Sequence, residues 1–170
     1  FMFSATSINK IYQKHKLALV DAIPQITHGG SMRYVIKKKL GQKISNRLKK
    51  ILIYEKKNNI DNLKGCYKFK SKVKKSKNKL LKKILKNKKN KQKICGYGAT
   101  SKSTTILNYC NINNKLIDCI YDTTPHKIGK FSPGMHIPVI DYKLFKKSNY
   151  KNIFLFAWNH KKEIFKKKKN

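Results

Sequence analysis

Acidic residues are scarce in this chain. Seven Asp and Glu stand against 42 Lys and Arg in 170 residues, a formal charge of +35. Seven scattered carboxylates leave general acid–base chemistry few candidates, and no Ser/His/Asp or paired-carboxylate set is visible. Arginine is almost missing as well: only Arg33 and Arg47 are Arg, and the other 40 basic residues are Lys. Planar, bidentate recognition of phosphate and guanine favours Arg, whereas Lys acts as a point charge. Cysteine is sparse, and Cys66, Cys95, Cys110 and Cys119 form no CxxC pair and have no His at metal-ligand spacing. That argues against a zinc site and a disulfide framework, and it suits reduced thiols in a cytoplasmic protein. No apolar run approaches the roughly 20 residues that span a bilayer, so a transmembrane protein is excluded, and no membrane partner is expected. Phe1-Met2-Phe3-Ser4 lacks a basic region followed by an apolar stretch, so no secretory signal is readable.

The positive charge invites a polyanion partner, but its composition has a second explanation. Lys, Asn and Ile make up 76 of the 170 residues and share A/T-rich codons, so drift in base composition accounts for the excess as well as selection does. Residues 64–93 carry 15 lysines and no acid, and the remaining 20 net charges are spread over the rest of the chain. A hydrophobic content of 39% is enough for a modest core, which argues against full disorder.

Three stretches differ in texture. In residues 1–40, Ser4 or Thr6 can cap a helix carrying Ile8, Ile11 and Tyr12. Leu17–Val20 then reads as a strand broken by Pro24, and His28-Gly29-Gly30-Ser31 as a turn or part of a binding cleft. Met32–Ile36 reads as a second strand. Residues 41–92 form a basic connector in which Phe69, Val73, Leu80, Leu81, Ile84 and Leu85 keep an apolar stripe at helical spacing. Its lysines repel one another at i, i+4, so the helix needs something packed on that stripe. A solvated connector, a patch for an anionic polymer or a membrane surface, and a disordered segment are all open readings.

Residues 93–170 alternate strand and helix, which points to a parallel α/β sheet. Ile94–Tyr97 is a short strand, Ser101–Cys110 a helix, and Leu116–Tyr121 a strand ending at Asp122. A Gly- and Pro-rich loop covers Pro125–Pro138. A short helix over Asp141–Lys147, a third strand over Ile153–Ala157 and a last helix over His160–Lys167 follow.

A glycine turn between a buried strand and a helix suits phosphate binding. The first Gly permits the turn, the second lets the backbone approach the ligand, and the helix N-terminus offers N–H groups. The run here is Gly96-Tyr97-Gly98-Ala99-Thr100-Ser101, without the third glycine of a dinucleotide fingerprint, and Asp122 stands where a ribose-binding acid would. The turn and Asp122 keep a nicotinamide-dependent oxidoreductase open, and the lysine-rich stretch keeps a nucleic-acid-binding protein open. The missing glycine and the Lys-for-Arg bias count against each in turn. Loop histidines His126 and His136, and the Trp158-Asn159-His160 segment after the last strand, sit where ligands of open α/β sheets bind.

The run Gly96-Tyr97-Gly98-Ala99-Thr100-Ser101-Lys102-Ser103-Thr104-Thr105-Ile106-Leu107-Asn108-Tyr109-Cys110 resembles the opening of the C-terminal domain of sugar C-methyltransferases. Asp122-Thr123-Thr124-Pro125, Lys127-x-Gly129, Pro133-Gly134-x-x-Ile137-Pro138 and Ala157-Trp158-Asn159-His160 follow in that family's order. His28-Gly29-Gly30-Ser31-Met32-Arg33 is similar to a segment near the end of the family's catalytic domain.

The resemblance implies an α/β fold whose C-terminal domain (93–170) is a Rossmann-like parallel sheet. A helix-plus-hairpin tail of a methyltransferase domain (1–40) and the lysine-rich connector helix precede it. It implies S-adenosylmethionine as cofactor, at a site not in this chain, and a nucleotide-linked keto-deoxysugar as substrate. In the family, a proton is abstracted beside the sugar ketone, and the enolate carbon attacks the methyl group of adenosylmethionine. The supporting Tyr, Glu and His would lie upstream of Phe1, so the 170 residues alone are expected to be inactive and to hold the nucleotide sugar. A separate N-terminal methyltransferase half is then an expected partner. The substrate-binding residues so implied are Gly96, Tyr97, Gly98, Ala99 and Lys102, with Asn108, Asp122, Trp158, Asn159 and His28 behind them. No catalytic and no metal-binding residue is assigned. The family usually runs on past the last helix, and the lysine run at Lys166–Lys169 would suit a frame slip there.

Overall fold

The computed structural model of the chain describes residues 3–38 and 41–167. Phe1 and Met2 of the leader reading, and residues 168–170 at the end of the lysine run, lie outside the described residues. The chain divides into two compact units, Phe1–Lys74 and Lys75–Asn170. The boundary falls inside one long helix, within the stretch read as connector.

In the first unit, helix α1 (Ala5–Gln13) starts at a reciprocal cap between Ser4 and Ser7 and buries Ala5 and Ile8. Strands β1 (Leu17–Gln25) and β2 (Ser31–Lys38) pair antiparallel around a 3-10 turn at Thr27–Gly29. Pro24 does not break β1 but pairs with Met32. Each strand of a two-stranded ladder keeps one open edge, where a residue without an N–H is tolerated. A register shift between Leu19 and Asp21 marks a bulge, and there Asp21 accepts hydrogen bonds from Ser45 and Arg47. Ser45 caps helix α2 (Asn46–Lys57), whose Leu48 joins Ala5, Ile8, Leu19 and Ala22 in the core of the unit.

One contact here escaped the sequence. Glu55 of α2, nearly buried, accepts from the backbone N–H groups of Ala5 and Thr6 at 2.7 Å each and from the Thr6 hydroxyl at 2.6 Å. Its negative charge sits on the positive end of α1 and satisfies donors that no residue of α1 itself reaches.

Helix α3 (Leu63–Lys89) gives its first part to this unit and its remainder to the second. In the second unit Ile84 is buried, with Leu80 and Leu81 packed beside it, which supplies the cover that the lysine-rich helix requires. Lys88 pairs with Asp118 at 2.8 Å, and Lys77 donates to the Tyr109 carbonyl at 2.7 Å.

The remainder of the second unit is β3 (Ile94–Tyr97), α4 (Ser101–Cys110), β4 (Ile120–Asp122), β5 (Val139–Asp141), β6 (Asn152–Leu155) and α5 (Lys161–Lys167). The four strands are parallel in the order β5-β4-β3-β6. This is the expected Rossmann-like α/β sheet, with one strand more than the sequence indicated. β5 is only three residues long and follows the Gly/Pro loop without a break.

Alternation along the strands divides the core. Ile94 and Ile120 face one side with Leu107, Ile112, Ile117, Ile137 and Phe156, under α4 and the end of α3. Cys95, Cys119 and Tyr121 face the other, where Phe145 and Tyr150 meet the Tyr121 ring edge-on and Tyr142 stacks on Phe145. The segment Tyr142–Lys147, which carries Tyr142 and Phe145, is 3-10 rather than α-helical. Among the described residues no helix is long and apolar enough to cross a membrane, and no group of His, Cys, Asp and Glu could hold a metal ion.

Candidate functional site

The chain leaves β3 toward β4 on one side, and β6 lies on the other. The connections therefore diverge at the carboxyl end of β3, which is where open α/β sheets bind ligands. A cavity of about 510 Å³ opens there. Tyr97 ends β3 and Gly98 follows it, Asp122 ends β4 and Thr123 and Thr124 follow it, and Ala157 and His160 come after β6. Thr100, Lys127 and Tyr142 complete its polar and aromatic lining, with Glu163 and Ile164 of α5 at one side.

The glycines of the turn answer to packing. A Cβ on Gly96 would lie 2.6 Å from the Phe156 ring and 3.2 Å from Ile120. Gly98 has φ +90°, and its Cβ would meet that of Ala157 at 2.9 Å. Both positions thus require glycine whether or not a phosphate ever approaches.

The amides of the turn are already engaged. Gly98 donates to the Tyr121 carbonyl at 2.8 Å, and Ala99 donates to Asp122 Oδ2 at 2.6 Å. Thr100 donates to Ser103 Oγ and Ser103 to Thr100 Oγ1, a reciprocal cap on α4. Asp122 also accepts from the Thr124 N–H at 2.8 Å and is 5% exposed, so each of its oxygens holds a backbone donor. Burial alone would push its carboxyl up. The Thr124 hydroxyl, the Thr124 and Ala99 N–H groups and Lys127 together outweigh that and hold it below the usual range.

Lys127 Nζ donates to the Ala99 carbonyl at 2.9 Å and lies 3.9 Å from Asp122 Oδ2. It borders both the main cavity and a second one of about 350 Å³, lined by Ala99, Thr100, Ser101, Thr104, His126 and Lys130 among others. Tyr97 packs edge-on against Tyr142, with ring centroids 5.1 Å apart. Burial, with Tyr142 and Asp122 nearby, raises the Tyr97 phenol, which keeps it a donor at neutral pH.

The structure brings some of the nominated residues together and separates others. Tyr97, Gly98 and Asp122 line the main cavity, Ala99 lines the second, and Gly96 is buried beneath them. Lys102 Nζ stands 5.3 Å from the ring centroid of Trp158, which is half exposed, and Asn159 follows in the same 3-10 turn. Asn108 donates to the Thr104 and Pro133 carbonyls and sits over Gly134, so it holds the Gly/Pro loop and lines neither cavity. His28 belongs to the first unit, and its side chain lies outside the described ones. Of the loop histidines, His126 lines the second cavity, while His136 is exposed with φ +49°.

Sequence reasoning passed over Lys127 and Tyr142 as site residues. Lys127 stood in a quoted motif, two residues before Gly129. Tyr142 carried no signal, because only the sheet order brings it beside Tyr97.

Comparison with known proteins follows this geometry. Residues 26–170 match the family described as C-methyltransferase C-terminal domain. Over 71 residues the chain is 34% identical to the C-methyltransferase NovU of Streptomyces niveus, a match covering 42% of this chain and 17% of that protein. The family match takes in the glycine turn, the Asp122 and Lys127 segments and the Trp158 segment in one continuous stretch, and the chain accordingly belongs to the C-methyltransferase C-terminal domain family.

Proposed function

We propose that this chain holds the nucleotide-linked keto-deoxysugar of an adenosylmethionine-dependent C-methyltransferase. The observation that carries the reading is the cavity at the carboxyl end of β3. It combines one cation (Lys127), hydroxyls (Thr100, Thr123, Thr124) and aromatic edges (Tyr97, Tyr142), a mixture suited to a diphosphate, a sugar and a base. In this reading Lys127 neutralises phosphate charge, Thr100 and Thr123 lie against sugar or phosphate oxygens, and the Tyr97 and Tyr142 rings form an aromatic wall. Trp158 with Lys102 offers a stacking edge beside the start of α4.

Adenosylmethionine supplies the methyl group when it is bound in such an enzyme. The described residues do not fit it at this turn. The Ala99 amide is spent on Asp122, and Asp122 has both oxygens on backbone donors, so neither serves as a free partner for a ribose or a carboxylate. The same engagement weighs against a nicotinamide cofactor here. The role of these residues is therefore positioning, which turns a bimolecular encounter into an oriented one. Catalytic bases are left to a methyltransferase half outside the 170 residues.

The test is calorimetric titration of the chain with a nucleoside diphosphate sugar, with the matching nucleoside monophosphate and with NAD. The expected outcome is saturable binding of the sugar nucleotide, weakened about tenfold or more in Lys127→Ala, since a charge-assisted contact contributes about 1.5–3 kcal/mol. Preferential binding of NAD, or sugar-nucleotide binding indifferent to Lys127→Ala, overturns the proposal. Methyl transfer to a keto-deoxysugar nucleotide by the chain alone would refute the division of labour.

A further inference from the structure

Helix α3 carries one apolar stripe along its length, but only its later part is covered. Ile84 is 3% exposed, with Leu80 and Leu81 packed around it, in the second unit. One helical stripe earlier, Cys66 and Phe69 lie open, Phe69 at 68%. Tyr54, at the end of α2, borders the same groove and is 62% exposed. An apolar helix face is ordinarily buried against something.

The open part is concave. Tyr54 and Asn58 at the end of α2, Ile60 in the connecting turn and Cys66, Phe69 and Lys72 on α3 border a groove of about 520 Å³. Its floor is tight, because a Cβ on Gly65 would fall 1.7 Å from the Asn59 carbonyl oxygen. The rim is cationic. Residues 49–74 hold nine lysines and two acids, and one of those acids, Glu55, is turned inward onto α1.

We propose that this groove docks an acidic amphipathic helix from a partner protein, its apolar residues in the groove and its carboxylates on the lysine rim. Concavity favours inserted side chains over a flat bilayer. Beside its two rings, Tyr54 and Phe69, the groove is lined by Ile60 and Cys66, which suit aliphatic side chains better than bases, and a second copy of this chain would bring lysine against lysine. Phe69 and Tyr54 are the anchors, and Lys68 and Lys72 set the charge.

The probe is a fluorescent synthetic peptide of about four helical turns, with Leu and Phe at i, i+3, i+4 and i+7 and Glu elsewhere. It is titrated against the whole chain beside a scrambled peptide of the same composition. Poly(U) RNA and phosphatidylserine vesicles are titrated in parallel, and the mass of the free chain is followed by sedimentation. Saturable binding below about 100 µM is expected, weakened about tenfold by scrambling and by Phe69→Ala, and reduced again by Lys68→Glu with Lys72→Glu. Leu144→Ala, an exposed apolar residue of the other unit, is expected to change nothing. Thermal melts of Phe69→Ala should match the parent, because the side chain is exposed and Ala favours helix. Four results overturn the proposal: no saturable binding, equal binding of the scrambled peptide, RNA or vesicle binding lost in Phe69→Ala, or self-association lost in Phe69→Ala.

Discussion

Asp122→Ala tests whether the carboxylate at the end of β4 is what holds the glycine turn in shape. The substitution removes the acceptor for two backbone N–H groups, Ala99 at 2.6 Å and Thr124 at 2.8 Å, at a site only 5% exposed. Hydrogen bonds to a charged group contribute about 1.5–3 kcal/mol each, and stranded donors carry their own desolvation cost, so the loss should be about 3–4 kcal/mol. That is a large part of a typical total of about 5–15 kcal/mol. Asp122→Asn keeps one acceptor oxygen but turns an amide N–H₂ toward the other donor, and should cost about 2–3 kcal/mol. The sole tryptophan, Trp158, lies in the same unit, so urea denaturation followed by its fluorescence reads the relevant transition. Acid provides a second measurement. The folded carboxyl lies below its ordinary value, so its stabilisation is full above the unfolded pKa of about 3.9 and fades as pH falls through the folded value. The gap between parent and Asp122→Ala should therefore be constant near neutrality and narrow below about pH 4. A gap under about 1 kcal/mol at pH 7, or one that persists undiminished to about pH 2, would refute the reasoning.

Glu55→Ala should destabilise the first unit by about 2–4 kcal/mol, since three hydrogen bonds to a nearly buried carboxylate are lost. Faster hydrogen exchange at the Ala5 and Thr6 amides would mark the released helix end, and unchanged protection there would count against the cap. Gly96→Ala should cost about 1–3 kcal/mol from crowding on Phe156, and Phe156→Leu should recover part of it in a double-mutant cycle. Gly129→Ala has open space and suffers only from its φ of +78°, so it should show about 1–2 kcal/mol and no such rescue. Asp21 should titrate at about 2 in NMR, held down by Arg47 and then by Ser45, and Arg47→Ala should return it toward the ordinary carboxylate range.

Local chemistry made much of the second unit legible. Ile94–Tyr97 is apolar and ends in glycine, and Thr100 and Ser103 cap the helix that follows. These signals lie within a few residues of one another, and each agrees with the sheet eventually formed. β5 was not legible, because a three-residue strand has no room for a pattern and gains its place only by pairing with β4. The Glu55 cap is illegible for a related reason: it joins positions about fifty residues apart, and nothing near Glu55 or near Ala5 announces the other. Pro24 misled because a proline normally ends a strand, and only the openness of a two-stranded ladder lets it remain.

The candidate site was legible in outline, yet the meaning of its letters changed. Gly-x-Gly followed by an acid reads as a phosphate cradle and a ribose acceptor, because each residue type suits that task. In the folded chain the same letters serve the protein itself. Phe156 and Ala157 demand the glycines, and the acid is consumed by the turn it supports. A fold that needs small residues and a carboxylate for its own packing carries that fingerprint whether or not a cofactor binds there. In the proposed reading, discrimination comes instead from the other groups that line the cavity, Lys127, the threonines and the Tyr97–Tyr142 pair. They reach the cavity from three separate stretches of chain, which is why ordered short motifs identified the family better than the glycine turn identified a ligand.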